Sequence, residues 1–320
     1  MGKKSPFFER RVSRRDFLKL MGALACLVWG GGWSSAAPPS GGGTNARPKK
    51  GLRGDHDLVV AEGRDPYATT VKAVGALGGM ERFVRKGGVV VVKPNIGWDR
   101  TPEQAADTHP AVVAAVVDLC FKAGAGRVNV FDVTCNDPRR CYDNSGIRAA
   151  AEAAGARVYF PSDWDTVKAR FAYDSPMEGW PILRDALACD TFINVPVLKH
   201  HGLTRLTVAM KNLMGVCAGN RGTIHQNIGR SLVDLTDFIG PELTVVDATR
   251  VLLRHGPQGG DLADVERRDT VLAATDPVLA DTYACSLMDV APEELQNIAA
   301  ARARGFGLSD LSRADIVRVG

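Results

Sequence analysis

Short runs of β-branched and other apolar residues alternate with alanine-rich stretches along most of this chain. The apolar runs predict strands at residues 58–61, 89–92, 128–131, 158–160, 192–195, 243–246 and 270–274, with a further edge strand at 316–319. The stretches between them predict helices at residues 68–85, 111–123, 147–154, 231–239, 278–288 and 292–303. This alternation predicts an α/β fold with a mainly parallel sheet that is flanked by helices on both faces.

The first 37 residues have a different character. Residues 13–19 match the twin-arginine consensus S-R-R-x-F-L-K at every fixed position, with Arg14 and Arg15 as the pair. The apolar stretch that follows, 20–29, is much shorter than the roughly 20 residues that a membrane-spanning helix needs, and small residues near Ala37 offer a cleavage site. We interpret residues 1–37 as a twin-arginine signal peptide. A retained membrane anchor and lipid attachment at Cys26 are weaker alternatives, because the apolar run is short and continues past that cysteine.

This interpretation predicts a protein that the twin-arginine translocase exports to the periplasm or another extracytoplasmic location, with no stable membrane span after cleavage. The whole chain has a net charge of +4, and the signal segment alone carries +5, so the mature chain is close to neutral at about −1. No basic surface indicates a nucleic-acid partner. Residues 38–50 are rich in Pro, Gly, Ser and Asn, and we predict a flexible linker over 38–57, followed by a single α/β domain over 58–320.

Polar residues follow several of the predicted strands directly. They are Lys93 and Asn95, Asp132, Asn194, then Lys199, His200 and His201, and finally Asp247 and Asp276. Ligands of open parallel sheets bind outside the carboxyl ends of the strands. We therefore expect Lys93, Lys199, His201, Lys211 and Asp247 to meet in one cleft.

These residue types suggest distinct roles. A lysine that is partly buried near other cations can act as a base or nucleophile, and a histidine can move a proton, so the candidate catalytic residues are Lys199, His201 and Lys211. The candidate substrate-binding residues are Lys93, Asn95, Asn194, Asn212 and His225. Asp247 and Asp276 are candidate ligands for a divalent metal. Each has a plainer interpretation: Asp276 before Pro277 suits a helix N-cap, Asp247 suits a turn, His201 a solvated loop, and His225 a capping or packing role.

Several separated motifs resemble one family. They are Asn194-Val195-Pro196-Val197-Leu198-Lys199-His200-His201-Gly202-Leu203-Thr204, Met210-Lys211-Asn212-Leu213-Met214-Gly215, Lys93-Pro94-Asn95-Ile96-Gly97-Trp98, Gly256-Pro257-Gln258-Gly259-Gly260 and Asp276-Pro277-Val278. Together they resemble the family known as domain of unknown function 362 (DUF362), over residues 58–307. The resemblance implies no particular activity, but it implies a relation to members that carry a ferredoxin-like iron–sulfur module.

The cysteines of this chain depart from that pattern. A bacterial ferredoxin segment needs a C-x2-C-x2-C-x3-C-P run, which this sequence lacks, so we expect no iron–sulfur cluster. Cys135 and Cys141 flank a polar loop, and whether they form a disulfide in an oxidising compartment stays open. The sequence therefore predicts an exported enzyme for a small carboxylate or phosphate, whose cofactor is unknown. The alternatives are a non-catalytic protein that carries a cofactor or metal, and a redox protein related to the iron–sulfur members.

Overall fold

A ten-stranded sheet forms the centre of the fold. The structure is a computed structural model that describes residues 43–320, so the twin-arginine segment and residues 38–42 of the predicted linker lie outside the described residues. The described strands are β1 (Leu58–Glu62), β2 (Val89–Pro94), β3 (Arg127–Val130), β4 (Arg157–Val158), β5 (Thr166–Lys168), β6 (Pro181–Leu183), β7 (Thr191–Val195), β8 (Val197–His201), β9 (Arg205–Thr207), β10 (Leu243–Leu252), β11 (Val265–Ala274) and β12 (Ile316–Val319). The sheet has the order β12-β1-β11-β10-β7-β2-β3-β4, with β8 paired to β10 and β9 to β8, while β5 and β6 form a separate hairpin.

Most strand pairs in the sheet are parallel. β10, β7, β2, β3 and β4 follow one another in parallel, as do β1 and β12, whereas β11 runs antiparallel to both of its neighbours and β9 antiparallel to β8. The predicted α/β class with a mainly parallel sheet is confirmed. The carboxyl ends of β2, β3, β7, β8 and β10 consequently lie at one edge of the sheet, and β11 ends at the opposite edge.

Helices cover both faces of this sheet. They are α1 (Pro66–Ala76), α2 (Pro110–Lys122), α3 (Pro138–Asn144), α4 (Ile147–Ala153), α5 (Arg184–Ala188), α6 (Ala209–Asn212), α7 (Ile228–Ile239), α8 (Pro277–Ser286) and α9 (Gln296–Arg304). Successive strand residues point to opposite faces, so Phe192 packs in a cluster with α7, α8 and α9 while Ile193 packs in another with α1, α2 and α4. No helix in the described part of the chain is both long and apolar enough to cross a membrane.

The chain extends the sheet past the end of β7. Pro196 follows the strand that the sequence pattern predicts at 192–195, and the chain then continues as β8 along β10. This is geometrically allowed because β10 has ten residues, of which only Leu243 and Thr244 pair with β7. The hairpin of β8 and β9 therefore projects beyond the carboxyl edge of the sheet, where it forms one wall of the cleft described below.

Part of the predicted linker is attached to the domain. Residues 43–57 contain no helix or strand, but Arg47 is buried and forms two hydrogen bonds of 3.0 Å with the carboxylate of Glu242. Its guanidinium also donates to the carbonyl oxygen of Ile239. A buried arginine that is paired in this way is costly to release. The described part of the segment is thus fixed against the domain rather than flexible, which corrects the sequence-based expectation.

Candidate functional site

A cleft of about 560 Å³ lies at the carboxyl edge of the sheet. The strand ends of β2 and β3, the hairpin of β8 and β9, α6 and the segment 219–225 surround it. Its charged lining residues are Lys93, Lys199, Lys211, Arg221 and Asp132, and its imidazoles are His201 and His225. The structure thus brings three predicted lysines and two predicted histidines together, and Asn95 and Asn212 lie with them.

Lys93 is the most tightly held of the three lysines. Its side chain is only 1% exposed, and its Nζ lies 2.7 Å from Asp132 Oδ1 and donates to Pro94 O at 2.7 Å and Asn212 Oδ1 at 3.0 Å. Burial lowers the pKa of Lys93, while the ion pair with Asp132 opposes that shift. The pair lies against the backbone of Gly215, where an added Cβ would come within 1.7 Å of Asp132 Oδ1. Glycine is therefore required at this position.

Three asparagines connect the strand ends to α6. Asn95 accepts from Lys199 Nζ at 3.3 Å and donates to Asn212 Oδ1 at 3.1 Å. Asn212 in turn donates to Asn194 Oδ1 at 2.9 Å, and Asn194 donates to Ala209 O at the start of α6. The sequence analysis predicts substrate contact for Asn194, but its side chain is fully buried behind the cleft. Asn194 therefore supports α6 and does not reach a substrate.

Lys199 interacts with a buried acid that the sequence analysis missed. Its Nζ donates to Ala106 O, and the carboxylate of Asp107 lies close enough to interact with its charge. Burial lowers the pKa of Lys199, and the charge of Asp107 opposes this; burial likewise raises the pKa of Asp107, and Lys199 opposes that. Asp107 follows no predicted strand, so no pattern in the sequence marked it.

The short helix α6 places Lys211 and Asn212 at the cleft. Asp281 of α8 accepts from the backbone N–H of Ala209 at 2.6 Å and of Met210 at 3.4 Å. The same carboxylate accepts from Asn297 Nδ2 at 2.8 Å, and it is buried. Burial raises the pKa of Asp281 to about 7. An acidic group at the first turn of a helix satisfies N–H groups that have no partner within the helix, so Asp281 fixes α6.

Lys211 differs from the other two lysines. Within residues 43–320, its Nζ has no hydrogen bond and no ion pair with the protein. Burial, and then the charges of Lys199 and Arg221, lower the pKa of Lys211 to about 8, while the thiol of Cys135 opposes them. At neutral pH a larger fraction of this amine is therefore uncharged than in an ordinary lysine.

The two histidines are stacked, with ring centroids 5.8 Å apart and an interplanar angle of 28°. His201 Nδ1 accepts from the backbone N–H of Leu203 at 3.1 Å, so in the neutral ring the proton is on Nε2. His225 Nδ1 lies 3.2 Å from Gly222 O and must donate to it, which leaves a lone pair on Nε2. That Nε2 is buried and has no partner among the described residues.

The two rings stay neutral in this setting. Burial, and then the charge of Lys211, lower the pKa of His201 to about 3 and also lower that of His225. His201 is thus a hydrogen-bond donor through Nε2, and His225 is the ring that can accept a proton. The sequence-based roles, with His201 as a catalytic residue and His225 as a substrate-binding residue, stay predictions.

The two aspartates proposed as metal ligands do not line the cleft. Asp247 accepts from the backbone N–H groups of Thr249 at 2.9 Å and His109 at 2.7 Å, so the expectation that it joins the lysines is wrong. Asp276 caps α8 by accepting from Val278 N, and it lies at the other edge because β11 is antiparallel. Among residues 43–320, no three His, Cys, Asp or Glu side chains are grouped so as to hold a metal ion.

Arg221 and Cys135 also line the cleft, although no sequence pattern assigned them to it. Arg221 Nη2 donates to Thr134 O at 2.7 Å and lies 3.6 Å from the sulfur of Cys135. The thiol of Cys135 is exposed and that of Cys141 is buried, and neither is in a disulfide in this structure. Arg221 comes from a 3₁₀ segment with no periodic pattern, and only its charge could have marked it.

The fold and the cleft define an α/β protein with a cation-rich site at the carboxyl edge of its sheet. The chain belongs to the family described as "Domain of unknown function (DUF362)", which matches residues 90–286. It is 28% identical over 240 residues to the thylakoid-associated protein sll1697 of Synechocystis sp., a match that covers 72% of each chain.

Two solved structures are also similar. The lactate racemase apoprotein from Thermoanaerobacterium thermosaccharolyticum matches 77% of this chain with a TM-score of 0.49 and 11% identity. A protein from Thermotoga maritima matches 71% of this chain with a TM-score of 0.39 and 11% identity. This chain covers 62% and 60% of those two chains, which is less than two thirds of their length.

Proposed function

We propose that this protein is an enzyme that binds a small carboxylate or phosphate in the cleft and moves a proton on it. The observation that carries the proposal is the charge of the lining: four cationic side chains face a single carboxylate, that of Asp132. Gathered cations repel one another until an anion enters, and burial strengthens both effects. Because Lys93 is already paired with Asp132, the charge available to a ligand comes from Lys199, Lys211 and Arg221.

The two stacked rings support a proton-transfer role. His225 Nε2 is a buried acceptor without a partner in the described chain, and His201 presents an N–H donor beside it. A base of this kind must reach the proton that it removes, and a nearby donor can stabilise the charge that develops. We assign His225 as the proton acceptor and His201 as the donor to the anionic or carbonyl oxygen.

Binding tests the first half of this proposal. Purified protein is titrated calorimetrically with inorganic phosphate, glycerol phosphate, lactate and malate, together with uncharged glycerol as a control. We expect at least one anion to bind, with roughly tenfold weaker binding in Lys211→Met, a loss of about 1.4 kcal/mol. Lys168→Met, at an exposed lysine of β5, serves as the matched control and is expected to bind as the native protein does. If no anion binds, or if both variants weaken binding equally, the proposal is wrong.

Isotope exchange tests the second half. For ligands that bind, transfer of deuterium from solvent to carbon is followed by NMR. His225→Gln removes the proton acceptor, and we expect exchange to fall by about 100-fold while binding is retained. Binding without exchange or turnover in the native protein would instead support the alternative of a non-catalytic carrier.

We also propose that the protein is exported by the twin-arginine translocase and acts outside the cytoplasm. The support is the sequence motif at residues 13–19. That the isolated chain binds no iron–sulfur cluster stays a prediction, which iron and sulfide analysis of anaerobically purified protein would test.

A further inference from the structure

The three lysines of the cleft are not equivalent in what their amines already contact. Lys93 Nζ has three partners, and Lys199 Nζ has two, at Ala106 O and Asn95 Oδ1. Lys211 Nζ has none within residues 43–320. The side chain of Lys211 is only partly buried, so its amine opens into the cleft and is available to a ligand.

The support beneath Lys211 is rigid. Asp281 holds the first turn of α6 from one side, and the side chain of Asn212, next to Lys211 in the chain, is fixed by Asn194 and Lys93. The segment therefore positions Lys211 accurately while leaving its amine without a partner in the protein. Reactive groups are held in this way, on a fixed backbone with the reacting atom unengaged.

The surroundings raise the uncharged fraction of the amine at this position above that of an ordinary lysine. The positive charges of Lys199 and Arg221 act on Lys211 and disfavour a third charge there. An amine whose pKa is lowered by burial and by neighbouring cations is uncharged more often, and the uncharged amine is a nucleophile for carbonyl groups. The cavity next to it, about 560 Å³, has room for a substrate of a few carbon atoms.

We infer that Lys211 forms an imine with a small 2-oxo acid, whose carboxylate binds to Lys199 and Arg221. This inference rests on the proposed function, because it specifies the anion that the cleft binds. Lys199 retains an N–H group beyond its two hydrogen bonds, and Arg221 retains N–H groups beyond those that contact Thr134 and Cys135. Because both residues line the same cleft as Lys211 and their charges act on its amine, a carboxylate on them leaves the adjacent oxo group within the cleft that Lys211 lines.

The chemistry needs no oxidant or other co-reactant. The lone pair of Nζ attacks the carbonyl carbon, a C–N bond forms, and the C=O π electrons move to oxygen, which takes one proton from the nitrogen through His225 Nε2. The carbinolamine then loses its hydroxyl group as water, with the second nitrogen proton completing that water, and a C=N bond remains. His201, through its Nε2–H, stabilises the oxygen while it carries negative charge.

Reductive trapping tests this inference on the full mature chain. The protein is incubated with pyruvate, glyoxylate or 2-oxoglutarate and sodium cyanoborohydride, and the adduct is located by mass spectrometry of peptides. We expect one equivalent of a reduced adduct on Lys211, and roughly tenfold less adduct in Lys211→Arg, which keeps the charge but lacks the nucleophilic amine. Lys168→Arg is the matched control and is expected to react as the native protein does.

The outcomes separate the two proposals. An adduct at Lys199, or equal labelling of exposed lysines, overturns the imine. So does the absence of any adduct from the three acids. If anions still bind in the calorimetric titrations, the proposed function survives that failure. If neither anions nor oxo acids bind, both proposals fail. Circular dichroism of Lys211→Arg shows whether lost labelling results from misfolding.

Discussion

At the scale of single residues, the three lysines of the cleft differ in the acidic groups that lie beside their amines. Lys93 neutralises Asp132, Lys199 faces the buried Asp107, and Lys211 has no acid beside it. The sequence could place lysines at the ends of strands. It could not show which of them is engaged, because the partners come from other segments of the chain and, in the case of Asp107, from a loop without a pattern.

Replacing Lys211 with Met should stabilise the fold while weakening anion binding. The native protein carries a lysine whose folded pKa is about 8 against an ordinary 10.5, so its charge disfavours folding at neutral pH. We expect the free energy of unfolding of Lys211→Met to exceed that of the native protein by about 1 kcal/mol near neutral pH, after allowance for solvent screening.

The sign of the pH dependence follows from the same shift. Between the folded and unfolded pKa values the unfolded chain binds more protons, so the native protein gains stability as pH rises from about 8 toward 10.5. The advantage of Lys211→Met should shrink over that range. Urea denaturation at neutral pH and at the upper end of the range measures it, and an advantage that grows with pH would contradict the argument.

Replacing Gly215 with Ala should disrupt the pair beneath the cleft. The new Cβ would lie 1.7 Å from Asp132 Oδ1 and 2.5 Å from Lys93 Nζ, so both side chains must move. We expect a loss of about 1–3 kcal/mol in the free energy of unfolding, together with weaker anion binding. Gly75→Ala is the matched control: this glycine lies in α1 with open space around its Cβ position, and the change should be neutral or slightly stabilising. Equal stability of the two variants would show that the close contact does not matter.

At the scale of elements, the sequence pattern located most of the buried strands but did not give their direction. Runs with β-branched residues predicted β1, β2, β7 and the first four residues of β10, because buried parallel strands are nearly continuous in their apolar content. Strand β8 was missed because Lys199 and His200 interrupt its apolar pattern. The carboxyl end of β11 was assigned to the wrong edge, and Asp276 with it, because an apolar run carries no information about whether its strand is parallel or antiparallel.

Asp281 should control the cleft through helix α6 without touching a ligand. In Asp281→Asn one carboxylate oxygen becomes an NH₂ group, which cannot accept from Met210 N or Asn297. We expect a loss of about 1–3 kcal/mol in stability and weaker binding of phosphate or lactate in calorimetric titrations. In the matched control Asp276→Asn, a cap is changed at the opposite edge, and binding should be unaffected. Unchanged binding in Asp281→Asn would show that α6 does not depend on this contact.

At the scale of the whole molecule, the charge of the chain is divided by location rather than spread evenly. The first 37 residues carry a net +5, and the rest of the chain is close to neutral, so its local excess of cations is concentrated at the cleft. Whole-chain composition indicates a basic protein, whereas the described residues gather four cationic side chains at one cleft. Only the three-dimensional arrangement could show this, since the cleft cations come from β2, β8, α6 and a 3₁₀ segment.

Changing Arg14 and Arg15 together to Lys should block export, because the twin-arginine pathway reads the guanidinium pair and a lysine keeps only the charge. We expect a full-length precursor to accumulate in the cytoplasm, as followed by immunoblotting of cell fractions. Changing Arg10 and Arg11 to Lys alters a neighbouring pair outside the consensus and should leave export intact. Mature protein outside the membrane in cells that lack the translocase would contradict the assignment.

The ion pair between Arg47 and Glu242 fixes the position of a segment through which the protein can be attached to a surface. Glu242 precedes β10 at the amino edge of the sheet, whereas Lys93, Lys199 and the rest of the cleft lining lie toward the carboxyl edge. A sensor surface or bead coupled at the exposed Thr44, three residues before Arg47, would therefore attach away from the cleft lining. Ligands should then reach immobilised protein as freely as dissolved protein, which makes the amino-terminal side the natural handle for capture.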